Sequence, residues 1–324
     1  MYVYSITYKV PGTADGGREA QFRGLIALGK LYPFEDGVVL PHEQTFPKVV
    51  DDRLRLLDAT KTNLESIFLL YADRAGAMDR ILEVHSRGEP TLRVEAKPGE
   101  FHSLHRIESP GVLMTLRRLL APQKTIIADG HHRYTTSLKY MKGLEEAGKA
   151  IPGCGWQLMT FANLYGEGLS ILATHRLVKL MGEGADERVL DSLVAKLEVS
   201  TEEAADLCLE TRSRKVPARF PRAMRTARTG AGATSYGLLQ DVVLGDWLAG
   251  RLEGEKGILY FKEGTGETEA LLRKEGDILF RMKPVDRREF ETVVQRGEVF
   301  PHKTTYFYPK LWSGLVMWRL DRVD

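Results

Sequence analysis

The densest set of chemically capable residues in the chain is Asp129-Gly130-His131-His132-Arg133. It follows a short apolar run, Thr125 to Ala128, and precedes a helical pattern from Arg133 to Ala147 with Tyr134, Leu138 and Met141 at i, i+4 and i+7. An acid at the end of a strand can hold a divalent cation or a hydroxyl. Gly130 lets the backbone approach a ligand or take positive φ. The N–H groups that open the next helix favour anions. His131, His132 and Arg133 add side-chain donors, and a guanidinium grips phosphate with two bonds. The competing reading is an exposed turn with a capping aspartate. Anion chemistry and strand–loop–helix geometry agree with each other, so a ligand site for negatively charged oxygens is expected here.

Other motifs carry less. Glu43, in Pro41-His42-Glu43 after the run Gly37 to Leu40, could accept a hydroxyl proton, but a His-Glu pair alone more often lies on the surface. Phe46 stands where a second histidine of H-E-x-x-H would be, so no zinc-protease motif is present. Gly24 to Lys30 reads GLIALGK, but Leu31 follows in place of Ser or Thr, and the interior residues suit a strand. His175, in Thr174-His175-Arg176, is expected to be a structural strand histidine. Near the C-terminus, Pro301 to Lys310 sets Lys303, Tyr306 and Lys310 among aromatics. Rings that stack and lysines that neutralise phosphate suit a nucleotide, while an amphipathic edge strand is the alternative. The basic run Arg212 to Arg228 contains no acid, and a solvated charged face is its expected role.

The elements that must position these residues follow from periodicity. Tyr2 to Val10 alternates as a strand, Pro11 to Gly17 is a turn, and Phe22 to Leu31 is a second strand. The spacing predicts a helix capped by Asp51 or Asp52, a strand over 66–71, and a short helix over 78–85. Two strands flank the Lys97-to-Glu100 turn, and Ser109-Pro110 starts a further helix. Strands are expected over 157–164 and 169–177, then acidic helical segments from about Gly182 to Leu209. Beyond these come helices at 241–252, 267–274 and 286–295, strands at 257–261 and 277–282, and a strand-like end over 304–320. A domain boundary is placed near 183, giving domains 1–183 and 184–324, with the last strand expected to return to the first. The chain opens inside a strand, which hints at an upstream piece.

Composition narrows the function classes. Lys and Arg number 46 against 44 Asp and Glu, so the formal charge of +2 excludes binding to nucleic acid by net charge alone. Hydrophobic residues at 43% and 324 residues of length support a buried core without disulfide or metal staples. Cys154 and Cys208 lack zinc-site spacing and read as reduced thiols of a cytoplasmic protein. No apolar run reaches a membrane span.

The string IADGHHRY at 127–134 resembles the signature of the DUF1015 family. VLPHEQTFPK at 39–48 with the following DRLRLLDATKTNLESIFLLY, ATHRLV at 173–178 and KTTYFYPKLWSGLV at 303–316 resemble further blocks of it, so the resemblance spans most of the chain. Family members usually carry an additional segment before the strand at Tyr2. The stretch 212–236 departs from the family's glycine-rich hairpin, and Gly245 stands where a histidine is common.

The Asp-Gly-His-His-Arg loop is also similar to that of free serine kinases. That similarity implies an α/β (mixed α+β) protein with a ParB/sulfiredoxin-like core and an added C-terminal α/β region. Carried over by motif, Gly130, His131, His132 and Arg133 would bind nucleotide phosphates; Lys303, Tyr306 and Lys310 join them as expected nucleotide contacts from their own chemistry. Asp129 would contact Mg2+ or the substrate hydroxyl, and Glu43 would accept the proton by position. The implied activity is phosphoryl transfer from ATP or ADP to a small hydroxyl compound such as free serine. The expected partners are this small molecule, the nucleotide and a second copy of the chain, with no membrane and no nucleic acid. Two alternatives stay open. One is a ParB-like nucleotide switch or DNA-associated module resting on 212–228. The other is a metal-dependent phosphohydrolase using His42, Asp129, His131, His132 and His302.

Overall fold

The computed structural model describes residues 1–11, 17–182, 185–253, 257–262 and 277–322, and it is a mixed α/β structure. The chain divides into two compact units. The first comprises 1–10, 18–170 and 307–324, and the second comprises 11–17 and 171–306. The helix expected over 267–274 lies outside the described residues. Among the described residues no helix is long and apolar enough to cross a membrane, and Cys154 and Cys208 are free thiols.

The strands of the first unit, in chain order, are β1 (Tyr2–Lys9), β2 (Glu19–Lys30), β3 (Val39–Leu40), β4 (Thr62–Asn63), β5 (Ile67–Tyr71), β6 (Leu92–Lys97), β7 (Glu100–Arg106), β8 (Thr125–Asp129) and β9 (Trp156–Asn163). All but β4 form one mixed sheet in the order β3-β8-β5-β9-β2-β1-β7-β6. Strand β5 is an interior strand, buried at every residue, parallel to β9 and antiparallel to β8. A continuous apolar run such as Ile67-Phe-Leu-Leu-Tyr71 is what a strand covered on both faces requires. Strand β1 shows the same constraint in disguise. Its sequence alternates, yet Val3, Tyr4, Ser5, Ile6 and Tyr8 are all buried, because both faces are covered there. GLIALGK lies inside β2, where a Cβ on Gly29 would run into the Met159 side chain, so it is a strand and not a phosphate loop.

Four helices complete this unit, α1 (Pro47–Thr60), α2 (Ala77–His85), α3 (Pro110–Leu120) and α4 (His131–Glu146), with α2 and α4 against the sheet and α1 packed on α4. Two of them begin earlier than the sequence implies. Helix α1 starts at Pro47, four residues before Asp51, because proline's fixed φ suits the first helical position. Its cap residue Phe46 has no capping side chain; instead His132 Nε2 accepts the Phe46 N–H at 3.0 Å, a tertiary cap invisible to local sequence. Helix α4 starts at His131, so the expected four-residue loop shrinks to one residue, Gly130. Ser109 and Pro110 do open α3.

The second unit holds a six-stranded antiparallel sheet, in the order 198–199, 215–219, 207–210, 278–282, 174–178, 258–262. Among the described residues, the stretch expected to stay helical to Leu209 is helical over Ala185–Val194 alone. Leu207 and Leu209 are buried either side of half-buried Cys208, a period of two that makes 207–210 a strand. The expected helix at 241–252 begins at Ser235, capped by the Thr234 side chain, and ends at Trp247. The strand-like end over 304–320 contains only the short strands Tyr306–Tyr308 and Trp318–Arg319. The basic run is tied into the unit by acids outside it: Arg214 pairs with Glu187 and Asp191, and Arg225 pairs with Asp206 at 2.7 Å.

The core of the first unit runs through β5, β8 and the inner faces of α2 to α4, with Leu69 at 0% exposure. Truncating Leu69 to Ala leaves a cavity under β5, and we expect a loss of about 2–5 kcal/mol, read from the urea midpoint at unchanged m-value.

Candidate functional site

Strand β8 is short and apolar because it lies between β3 and β5, and it delivers Asp129 as its last residue. Gly130 then turns the chain with φ +99°, a conformation that L side chains adopt rarely. A Cβ at Gly130 would meet the Arg133 guanidinium at 3.1–3.2 Å, because that side chain folds back across the glycine. Arg133 Nη2 donates to Asp129 Oδ2 at 2.8 Å, and Nη1 donates to the Ser66 carbonyl at 2.6 Å and pairs with Glu65 at 3.1 Å. Lys310 Nζ donates to Asp129 Oδ1 at 3.0 Å. Both carboxylate oxygens therefore face a cation. Burial pushes the Asp129 carboxyl up, but Lys310 and Arg133 outweigh it and hold it below the usual carboxylate range.

The histidines have structural work at this corner. His42 is buried and its Nδ1–H donates to the Ile127 carbonyl at 2.6 Å. His131, also buried, accepts the His42 backbone N–H on Nε2 at 3.3 Å, and the two rings meet edge to face at 4.5 Å. His132 accepts the Phe46 N–H and stacks on the Phe46 ring. All three thus bind segment 42–46 to the start of α4. Burial holds both His42 and His131 well below the usual imidazole range; for His42 the Glu43 charge opposes this, and for His131 the His42 charge adds to it. Glu43 is half-buried, and its charge acts on His42 together with those of Lys310 and Asp129.

Lys310 reaches Asp129 from a strap, residues 307–312, fixed by a buried relay that local sequence does not reveal. The Trp312 N–H donates to Tyr4 Oη at 3.1 Å; Tyr4 Oη hydrogen-bonds His102 Nδ1; His102 Nε2 hydrogen-bonds Glu100 at 3.0 Å. Tyr308 adds a bond to the second Glu100 oxygen at 3.3 Å, and the Phe307 ring packs on His42 at 5.7 Å. Burial raises the Tyr4 hydroxyl pKa, so it stays protonated and can serve as both donor and acceptor. The partners lie 98 and 308 residues apart in the chain, which is why spacing gives no sign of them.

Asp129, Gly130, His131, His132, Arg133, Glu43 and Lys310 are thus gathered in the first unit. Lys303, Tyr306 and His302 belong to the second unit, where Arg176 holds the backbone at 302 and 303. Arg176, at 1% exposure, donates to the His302 and Lys303 carbonyls at 3.2 and 3.0 Å and lies between the Tyr236 and Tyr260 rings. Lys303 has φ +53° and its Nζ sits over Tyr260, while Lys262 sits over Tyr306. His175 Nδ1 accepts the Met282 N–H at 3.1 Å, the structural role expected of it. Among the described residues no group of three or more His, Cys, Asp or Glu side chains is placed to hold a metal ion, so the five-ligand phosphohydrolase set does not converge. A magnesium ion at this corner would have Asp129 as its carboxylate ligand, both of whose oxygens are held here by Lys310 and Arg133.

A family model described as a protein of unknown function (DUF1015) matches residues 1–297. Among solved structures, a mutant of free serine kinase in complex with ADP is similar at 15% identity, covering 93% of this chain and 89% of that one with a TM-score of 0.43. SbnI with a C-terminal truncation, from Staphylococcus aureus, is similar at 17% identity over 86% and 82% with a TM-score of 0.46. A conserved hypothetical protein from Pyrococcus furiosus is similar at 16% over 92% and 96%, with a TM-score of 0.42. No curated protein matches.

The buried histidines set a pH dependence. In the unfolded chain they titrate near 6.5, the value from which the fold lowers them. As pH falls through that value the unfolded chain takes up protons that the folded chain refuses, so stability declines with acidification. We expect the melting temperature to fall from pH 7 towards pH 5, and His42→Gln, which keeps a donor for Ile127, to flatten that decline.

Proposed function

Because the chain belongs to the DUF1015 family, whose signature loop resembles that of free serine kinases, we propose that it is a nucleotide-dependent phosphotransferase acting on a small hydroxyl compound, with free serine the leading acceptor. The observation that carries the reading is the pair of cations, Arg133 and Lys310, that meet on Asp129 at the Gly130 turn. Arg133 and Lys310 are the groups that suit a phosphate: one a planar fork, the other a point charge on a flexible stem. Glycine leaves the backbone open to a close approach, and α4 begins at that point.

The chemistry asked of these residues is modest. Phosphoryl transfer runs through a loose transition state, so positioning and charge neutralisation provide most of the rate. The donor's phosphate takes over Arg133 and Lys310 from Asp129, which neutralises the oxygens around the transferring phosphorus. The acceptor hydroxyl oxygen then forms the new P–O bond, the bond to the nucleotide leaving group breaks, and the hydroxyl proton passes to a carboxylate. Glu43, next to neutral His42, and Asp129, once released, are the two candidates for that proton. A magnesium ion arriving with the donor would supply further neutralisation of its phosphates.

The test is incubation of the full chain with ATP or ADP, magnesium and a panel of hydroxy amino acids, followed by product analysis. A phosphorylated acceptor is expected. Arg133→Met and Lys310→Met should each weaken nucleotide binding by about tenfold, a typical loss for one charge-assisted bond of ~1.5 kcal/mol. No product together with no nucleotide-induced thermal shift sinks the reading.

A further inference from the structure

A second recognition surface lies at the opposite end of β5. The corner at Asp129 faces the amino end of that strand, where Phe68 pairs with Asp129. At the carboxyl end, Tyr71 pairs with Asn163 of parallel β9, roughly 10 Å away at ~3.3 Å per residue. Ligands in α/β sheets gather outside the carboxyl ends of parallel strands. Here a cavity of about 580 Å³ opens there, within the first unit, between the start of β2, the first turns of α2 and the turn 163–169. That volume falls in the range of small-molecule sites, roughly 300–1,000 Å³.

The cavity is polar, lined by three arginines and four carboxylates. Its floor is rigid. Asn163, at 3% exposure, donates to the Asp73 carbonyl at 2.7 Å and to Asp79 Oδ2 at 2.6 Å, and accepts the Asp73 and Tyr165 N–H groups at 3.1 Å. Asp73 in turn accepts three backbone N–H groups at the entry to α2. The charged groups above this floor are held apart by neutral anchors. Arg23 donates to Ser86 Oγ and Gln21 Oε1, and Arg80 donates to the Ala75 carbonyl. Among the described residues neither guanidinium closes an ion pair, and the hydrogen bond to Asp79 comes from an uncharged amide. Asp79 is half-buried; burial raises its carboxyl pKa, the nearby Asp73 charge adds to that, and the Asn163 bond, Arg23 and Arg80 counter it. Beside it the Tyr71 hydroxyl is buried with no hydrogen-bond partner among the described residues. A groove of solvated salt bridges would pair these charges with one another. Glu83 at the rim pairs with Arg87, but Asp79, Arg23 and Arg80 stay close together without an ion pair among them, which is the complement of a molecule carrying both signs.

We propose that this cavity binds a small zwitterion, a free α-amino acid, with its carboxylate on Arg23 and Arg80 and its ammonium on Asp79. The site is separate from the phosphate corner and goes beyond the phosphotransferase reading. Its occupancy would report amino-acid supply to the same unit that carries the corner.

Calorimetric titration of the full chain, without nucleotide, with glycine, alanine, aspartate and serine tests this. Free amino acids should bind with one-to-one stoichiometry. The N-acetylated and the amidated forms of alanine, each lacking one charge, should bind at least tenfold more weakly. Asp79→Asn and Arg23→Met should weaken binding of glycine and alanine to the same degree, while Asp129→Asn should leave binding of these two unchanged. Absence of binding at millimolar concentration overturns the proposal, as does binding that needs only one of the two charges. Binding of serine alone that is lost in Asp129→Asn and kept in Asp79→Asn also overturns it, and would assign the amino acid to the corner. If amino acids bind as expected but no nucleotide does, the cavity stands and the phosphotransferase reading falls.

Discussion

The ion pair that Arg133 makes with Asp129 across Gly130 organises the first unit around one corner. It needs a glycine, because the left-handed turn and the guanidinium lying over it leave no room for a side chain. It needs β5, because the Ser66 carbonyl and Glu65 fix the other side of the same guanidinium. It needs the C-terminal strap, because Lys310 takes the second oxygen of Asp129. The entry to β5, the start of α4 and the C-terminal strap are joined through one ion pair. An arginine so engaged is pre-positioned: little rotamer freedom is left to lose when an anion competes for it.

The three histidines also hold the corner together. Their ring nitrogens bond backbone groups of 42, 46 and 127, and burial keeps His42 and His131 neutral. Neutral imidazoles suit a corner that already holds two cations, because a third positive charge beside Lys310 would oppose them. The motif's five residues therefore divide the work. Asp129, Gly130 and Arg133 present charge and space, and the histidine pair locks segment 42–46, with Glu43 in it, against the start of α4.

Much of the fold was legible in the sequence wherever signals were local. The apolar run of β5, the Ser109-Pro110 start of α3 and the glycine after β8 each state their own structure. Local reading failed where distant groups decide. Helix α1 is capped by a histidine 86 residues away, β1 is buried on both faces despite its alternation, and 207–210 becomes a strand once it has neighbours to pair with. The same holds at the candidate site. The Asp-Gly-His-His-Arg string could be singled out by type and spacing, and Lys310 by its aromatic surroundings. The Tyr4–His102–Glu100 relay and the grip of Glu65 and Ser66 on Arg133 could not, since nothing in a linear sequence records which strands become neighbours. Lys303 and Tyr306, grouped with Lys310 by proximity in sequence, belong to the other unit because the chain crosses between units at 306–307.

The central claim is that a phosphate competes with Asp129 for Arg133 and Lys310. Equilibrium binding of magnesium-free nucleotide to Asp129→Asn, set beside turnover with magnesium, tests it most directly. Removing the carboxylate charge frees both cations, so the account predicts tighter nucleotide binding than in the wild type together with loss of phosphoryl transfer. Weaker binding in that variant, with its fold intact, would contradict it: Asp129 would then be holding the ligand instead of yielding to it.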